Sequence, residues 1–210
     1  MKVAIINYGM GNLSSVRKAF EDIGAEVIVA SHPEAIYNAN RIVLPGVGAF
    51  GEGMTRLKDA GWTEVLQEVI IQQRKPLLGI CLGMQMLATE GYEGGLTRGL
   101  NFVPGKVLRI DKLGCSLRIP HVGWNEVRYR IQDALFNGIP DDSDFYFVHS
   151  FGFVPEFNNH LLATVPYGYE IPAVIRNNNV FGCQFHPEKS SKAGRQLLRN
   201  FMRYIPSSLC

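Results

Sequence analysis

The chain predicts an α/β fold in which a parallel sheet is covered by helices on both faces. Two observations carry that reading. Short apolar runs alternate with segments of helical spacing over roughly the first 88 residues, and turn-rich short strands follow from Gly105 to Phe185.

Val3–Asn7 opens the alternation as an apolar strand, and Leu13–Ile23 has the spacing of a helix. Glu26–Ala30 and Arg41–Leu44 read as the next strands, Gly51–Lys58 and Trp62–Gln73 as helices, Pro76–Ile80 as a short buried strand and Leu82–Ala88 as the helix behind it. In the strand-rich part, turn signals stand at Asn137-Gly138, Asn158-Asn159 and Asn177-Asn178-Asn179. A last amphipathic helix, over about Lys192–Tyr204, puts Leu197, Leu198, Phe201 and Met202 on one side. With no internal repeat, low-complexity stretch or linker, residues 1–210 are expected to form a single domain.

At 210 residues and 46% apolar composition the chain can bury one sizeable core. Its 21 basic and 19 acidic residues leave +2, which argues against a nucleic-acid footprint or a polybasic membrane anchor. No apolar run approaches the roughly 18 to 20 residues of a membrane span. Met1-Lys2 leads straight into a strand without a signal peptide, so a cytoplasmic protein is expected. Cys81, Cys115, Cys183 and Cys210 show no Cys-x-x-Cys spacing, which indicates neither a zinc site nor a disulfide framework. No metal and no cofactor are expected. Cys115 and Cys183 read as passive, and Cys210 as part of a mobile tail.

Chemistry concentrates at Cys81. Gly79-Ile80-Cys81-Leu82-Gly83 is the thiol version of the Gly-x-Ser-x-Gly elbow, where flanking glycines let neighbouring backbone pass close to a strained nucleophile. Unpaired N–H groups and the dipole of the following helix would favour a thiolate there. A buried structural cysteine in a glycine turn is the plain alternative. Phe181 to Glu188 is a short strand ending in His186-Pro187-Glu188; if the extension continues, period-two geometry points His186 and Glu188 the same way, a base beside its orienting carboxylate. Arg41 to Gly51 is a strand entering a glycine-rich loop. It lacks the lysine and hydroxyl of a phosphate-binding loop, so an oxyanion hole fits better, with the N–H of Val47, after Gly46, and that of Leu82 facing one oxygen. Asp144 to Phe151 is an aromatic strand ending in His149-Ser150 and, alone, reads as core.

Together these segments resemble the class I (triad) glutamine amidotransferase domains and, within them, the glutaminase subunits of imidazole glycerol phosphate synthases. The narrower likeness rests on Asn7-Tyr8-Gly9-Met10-Gly11-Asn12-Leu13-Ser14-Ser15, Leu44-Pro45-Gly46-Val47-Gly48, Pro120-His121-Val122-Gly123-Trp124-Asn125, Tyr146-Phe147-Val148-His149-Ser150 and Gln184-Phe185-His186-Pro187-Glu188-Lys189-Ser190. The resemblance implies a flavodoxin-like three-layer sandwich, with a mostly parallel central sheet and an added antiparallel element. It makes Cys81, His186 and Glu188 the triad, and Gln85 and Glu93 the holders of the carboxylate and amino ends of glutamine. Gly48 and the backbone at His149, Ser150 and Phe151 would complete the pocket. Phe151 departs from the family, where tyrosine usually follows His-Ser. The resemblance also implies a (β/α)8-barrel cyclase as heterodimer partner, docked on Asn12, Trp124 and Lys189 with Arg118 a weaker candidate, in histidine biosynthesis. Amination of a surface-polysaccharide sugar, by a paralogous subunit, is the alternative use of the ammonia. A catalytically silent subunit of the same fold is the third reading.

Overall fold

The computed structural model describes residues 1–205. Its first half runs β1 (Lys2–Ile6), α1 (Leu13–Glu21), β2 (Glu26–Ala30), β3 (Arg41–Gly46), α2 (Phe50–Asp59), α3 (Trp62–Leu66), β4 (Leu77–Cys81) and α4 (Leu82–Met86). The second half runs β5 (Glu90–Gly91), β6 (Thr97–Arg98), β7 (Gly105–Arg109), β8 (His121–Tyr129), β9 (Ser143–His149), β10 (Phe151–Pro155), β11 (Leu161–Pro166), β12 (Glu170–Asn177), β13 (Val180–Cys183) and α5 (Ser191–Arg203).

A nine-stranded sheet has the order β2-β1-β3-β4-β13-β12-β11-β8-β9. From β2 to β13 every pairing is parallel, in the flavodoxin-like doubly wound order. From β13 outward every pairing is antiparallel, so the added element extends the same sheet. A second, four-stranded sheet has the order β10-β7-β5-β6. The strand alternation sorts the core into two layers. Val3 and Ile5 pack with the α1 residues Val16 and Phe20 and the α5 residues Leu197, Leu198 and Phe201. Ala4 and Ile6 pack with Phe50, Trp62 and Leu82 from α2, α3 and α4.

Local chemistry explains most element ends. Asn12 caps α1, its side chain accepting from Ser15 N–H at 3.3 Å. Arg41 is buried at the start of β3, where its guanidinium donates to the carbonyls of Phe201 and Met202 at 3.4 and 3.1 Å and to that of Tyr204. It thereby satisfies the open carbonyls at the end of α5. Two helices differ from expectation. The Trp62–Gln73 helix begins as α3 and widens into a π-helical stretch over Gln67–Gln72. The Leu82–Ala88 helix stops at Met86, because Leu100 and Asn101 N–H take the carbonyls of Met86 and Ala88 at 2.8 and 2.9 Å and turn the chain away.

Cys115 and Cys183 are buried in the core, where burial pushes the Cys183 thiol up. Cys210 lies outside the described residues. Among the described residues no helix is long and apolar enough to cross a membrane.

Candidate active site

β4 lies between β3 and β13, inside the parallel half of the sheet, so its C-terminal end faces the crevice where open α/β sheets place their ligands. Cys81 sits on that end with φ 55° and ψ −111°, a left-handed conformation that few side chains adopt. The flanking glycines are required by contact. A Cβ on Gly79 would lie 2.7 Å from Gly83 O, and one on Gly83 would lie 1.8 Å from Leu44 O. One expectation changes here: α4 has only five residues, so most of the helix dipole is missing and the free N–H groups of its first turn remain.

β13 delivers the second part of the constellation. It pairs Cys183 with Ile80, so the chain that leaves it passes beside the elbow. His186 and Glu188 come together, but not through continued extension. Pro187, with φ preset for a helical first turn, starts a 3-10 turn over Pro187–Lys189, and the turn brings the carboxylate back to the ring. His186 Nδ1 and Glu188 Oε1 are 2.8 Å apart, with side-chain exposures of 3% and 1%. Ser190 locks the turn, donating to His186 O at 2.6 Å and accepting from Tyr146 N–H at 3.0 Å. Nε2 of His186 is buried with no hydrogen-bond partner. Burial alone would lower the pKa of this ring, but the neighbouring Cys81 and the hydrogen-bonded Glu188 carboxylate outweigh it and raise it from 6.5 to about 9. An imidazolium at His186 is therefore the favoured state at neutral pH.

Glu188→Gln removes the charge behind the ring. At neutral pH we expect kcat/KM for glutamine to fall by about 10²- to 10⁴-fold, as in other triads that lose the orienting carboxylate. The His186 pKa should drop from about 9 toward 6.5, so the alkaline limb of the pH-rate profile, where the proton for the leaving group is lost, should move to lower pH.

A cavity of about 390 Å³ gathers the remaining candidates around Cys81 and His186. Val47, Gly48 and Leu82 form one wall, and Gln85, Glu93, His149, Ser150 and Phe151 form the others. Gly46 pairs with Cys81 across β3 and β4, and a Cβ there would meet Tyr8 Oη at 2.5 Å and Leu82 Cβ at 2.9 Å. Gln85 is buried: its Nε2 donates to Phe151 O and to Gln184 Oε1, each at 3.0 Å. Both amide hydrogens being engaged, its free oxygen can only accept. Gln85 thus suits an ammonium rather than a carboxylate. Glu93 Oε2 accepts from Phe50 N–H at 2.8 Å, at the start of α2. The Phe151 side chain packs on the core, while its carbonyl takes Gln85 and His149 Nδ1, the latter at 2.8 Å. The position therefore serves through its backbone.

The family described as "Glutamine amidotransferase class-I" matches residues 4–205. The chain belongs to that family. This amidotransferase is 47% identical over 201 residues to "Imidazole glycerol phosphate synthase subunit HisH 1" of Campylobacter jejuni, covering 96% of this chain and 99% of the relative. It is 47% identical over 199 residues to the HisH subunit of Moorella thermoacetica, covering 95% and 93%. In fold it is similar to a chain of the PurLQS structure from Thermotoga maritima, with a TM-score of 0.74 at 20% identity over 97% and 98% of the two chains. A solved glutamine amidotransferase gives a TM-score of 0.75 at 18% identity, over 95% and 96%.

The expected docking residues of the amidotransferase are not core. Trp124 is 49% exposed and meets Tyr146 edge to face, at 5.9 Å between centroids. Lys189 is exposed and holds its ammonium 5.8 Å from the same Tyr146 ring. Asn12 is exposed at the start of α1, which packs beside the Pro187–Lys189 turn. Arg118 lies apart, before β8, where its carbonyl accepts from Tyr167 Oη at 2.7 Å. Val122 and Val148, paired across β8 and β9, extend the exposed apolar stripe around Trp124. Three polar residues close to the site carried no functional reading in the sequence: His121, Asn125 and Gln184. All three stand in motifs that carry the family likeness, and Gln184 is also a polar residue inside the apolar run from Val180 to Phe185.

Proposed function

We propose that this chain is the glutaminase subunit of an imidazole glycerol phosphate synthase, acting in the cytoplasm in histidine biosynthesis as one domain along its length. One observation carries the proposal. An elbow cysteine and His186, itself paired with Glu188, line a single cavity, in a chain nearly half identical to subunits bearing that name.

Glutamine binds with its side-chain amide at Cys81 and its ammonium between Gln85 Oε1 and Glu93. The Cys81 thiolate attacks the amide carbon, and the new oxyanion accepts N–H bonds from Val47 and Leu82, Gly46 and Gly48 leaving room for that backbone. His186 gives its proton to the departing nitrogen; the C–N bond breaks, ammonia leaves, and a glutamyl thioester stays on the sulfur. Neutral His186 then takes a proton from water, which attacks the thioester carbon. Breaking the C–S bond releases glutamate and restores the thiolate beside imidazolium. Glu188 fixes the ring and its charge throughout.

Free ammonia in neutral water is mostly ammonium and a poor nucleophile, so the product has to pass directly to an acceptor site. The (β/α)8-barrel cyclase supplies it, covering Asn12, Trp124, Lys189 and the edge near Arg118. Glutamate release by the purified chain, alone and with the barrel and its ribonucleotide ligand, tests the proposal. Strong stimulation is the expected result. A chain whose Cys81 labels with a glutamine analogue but whose turnover ignores the barrel would overturn the assignment of the acceptor. For the docking face, Trp124→Ala and Lys189→Ala should each weaken the complex by about 1–3 kcal/mol, roughly 5- to 150-fold in Kd, measured by titration calorimetry.

A further inference from the structure

Six residues join Cys81 to the β8–β9 ribbon through one chain of buried and part-buried hydrogen bonds, and only part of it belongs to the machinery described above. Gln184 is fully buried, outside the lining of the cavity, with its Nε2 3.8 Å from Cys81 Sγ and its Oε1 accepting from Gln85 at 3.0 Å. Gln85 passes the connection to Phe151 O, which also accepts from His149 Nδ1. His149 Nε2 lies 3.0 Å from His121 Nδ1, and His121 Nε2 lies 2.6 Å from Asn125 Nδ2. His121 and His149 are direct partners across β8 and β9.

The polarity of this chain is fixed by what each atom can do. A backbone carbonyl only accepts, so His149 must carry its proton on Nδ1 and Gln85 must present its amide nitrogen to Phe151. His149 Nε2 is then an acceptor, and His121 must carry its proton on Nδ1. That makes His121 Nε2 an acceptor for the Asn125 amide. At the other end, Gln85 can offer only N–H to Gln184, whose oxygen must face it, and the Gln184 nitrogen is left to face the sulfur. Burial holds both rings neutral at physiological pH, lowering His121 to about 4 and His149 to about 3, so neither ring reverses the order.

We propose that Gln184 is a positioning residue of the glutaminase reaction, holding the acceptor oxygen of Gln85 toward substrate and an N–H donor toward the Cys81 sulfur, while His149 of β9, backed by His121 of β8, holds in place the Phe151 carbonyl that orients Gln85. This rests on the reading of Cys81 as the nucleophile. The N–H favours the thiolate, because a thiolate accepts a hydrogen bond far better than a thiol does. The other titratable groups around the sulfur are His186 with Glu188 behind it, Tyr8 and Cys183, with Glu93 in the cavity wall and His149 beyond His186. None of them is altered by a neutral replacement of Gln184. The same chain ends one residue from Trp124, so a barrel seated there presses on the strand that carries Asn125 and His121.

The test uses the full chain with its barrel and compares Gln184→Met, which keeps length and neutrality, with His121→Phe, which keeps the stack of the ring on Phe147 and Tyr167 but removes the donor to His149. The readouts are the pH midpoint of Cys81 alkylation by iodoacetamide and the separate kcat and KM for glutamine. For Gln184→Met we expect the midpoint to rise by about one pH unit, kcat to fall about tenfold and KM to rise, as for a lost hydrogen bond to a charged group. For His121→Phe we expect a rise in KM of about threefold to tenfold with little change in the midpoint, since the loss reaches Gln85 before the sulfur. A merely structural role would lower thermal stability and leave the midpoint in place. A wild-type midpoint and wild-type kcat in folded Gln184→Met overturn the proposal; if that variant does not fold, wild-type KM in His121→Phe does so. Cys81→Ala separates the two readings, because glutamate release that survives it would overturn the nucleophile assignment itself.

Discussion

Replacing Cys81 by alanine is expected to lower glutamate release by about 10⁴-fold or more, with the barrel bound and glutamine saturating, because no other group in the cavity can form the thioester. Folding should be spared. Alanine has no more trouble with φ 55° than cysteine, and the sulfur makes only weak hydrogen bonds, to Val148 O at 3.9 Å and from Gln184 Nε2 at 3.8 Å. Cys81→Gly sharpens the expectation. Held in a sparsely populated backbone region, Cys81 stores about 1–3 kcal/mol of strain, whereas glycine costs only about 0.5–1 kcal/mol in lost chain entropy. The strain term is the larger, so the glycine variant should unfold at higher denaturant than Cys81→Ala by about 1 kcal/mol while being equally inactive. Equal stability of the two variants, measured by urea titration, would mean that the elbow holds no strain to release.

The sequence carries the parts of this molecule that are local. Runs such as Val3 to Ile6 and Leu77 to Ile80 declare central strands because both faces are buried, and Gly79, Cys81 and Gly83 declare the elbow because the close approach is made within five residues. The His186–Glu188 pair was legible as a pair, but its geometry was not: Pro187 fits an extended neighbour and the first position of a turn equally well, and the tertiary contact at Ser190 decides between them. What could not be read is what depends on register between distant strands. His121 meets His149 only because β8 and β9 pair in one particular register, and Gln184 meets Gln85 across 99 positions of chain. Neither contact leaves a periodicity behind. Gln85 shows the same limit from the other side: its place at the site follows from the motif, but its role as an acceptor follows from two partners that the motif does not contain.

Gly83→Ala should be the most damaging single-methyl change in the chain. The added Cβ would lie 1.8 Å from Leu44 O and 2.8 Å from its carbonyl carbon, inside the van der Waals shell of a backbone group on a fully buried strand. Neither side can yield cheaply. Leu44 is paired with Gly79 across β3 and β4, and Gly83 opens the turn that fixes Cys81. Overpacking ordinarily costs about 1–3 kcal/mol, where side chains can rotate away. Here the clash is with backbone, so the loss should exceed about 3 kcal/mol, a large part of a typical total of about 5–15 kcal/mol. Gly53→Ala supplies the control. Its Cβ meets Met86 Sδ at 2.8 Å, the far end of a flexible side chain, and it stands inside α2, where alanine is favoured over glycine by about 1 kcal/mol. Gly53→Ala should therefore unfold within about 1 kcal/mol of the parent and keep its glutaminase activity. Gly83→Ala should lose most of its cooperative unfolding transition and, in whatever fraction folds, hold Cys81 away from His186. If the two alanine variants unfold alike, the elbow tolerates a wider separation of β3 from α4 than these distances allow, and the account of why glycine flanks the nucleophile fails with it.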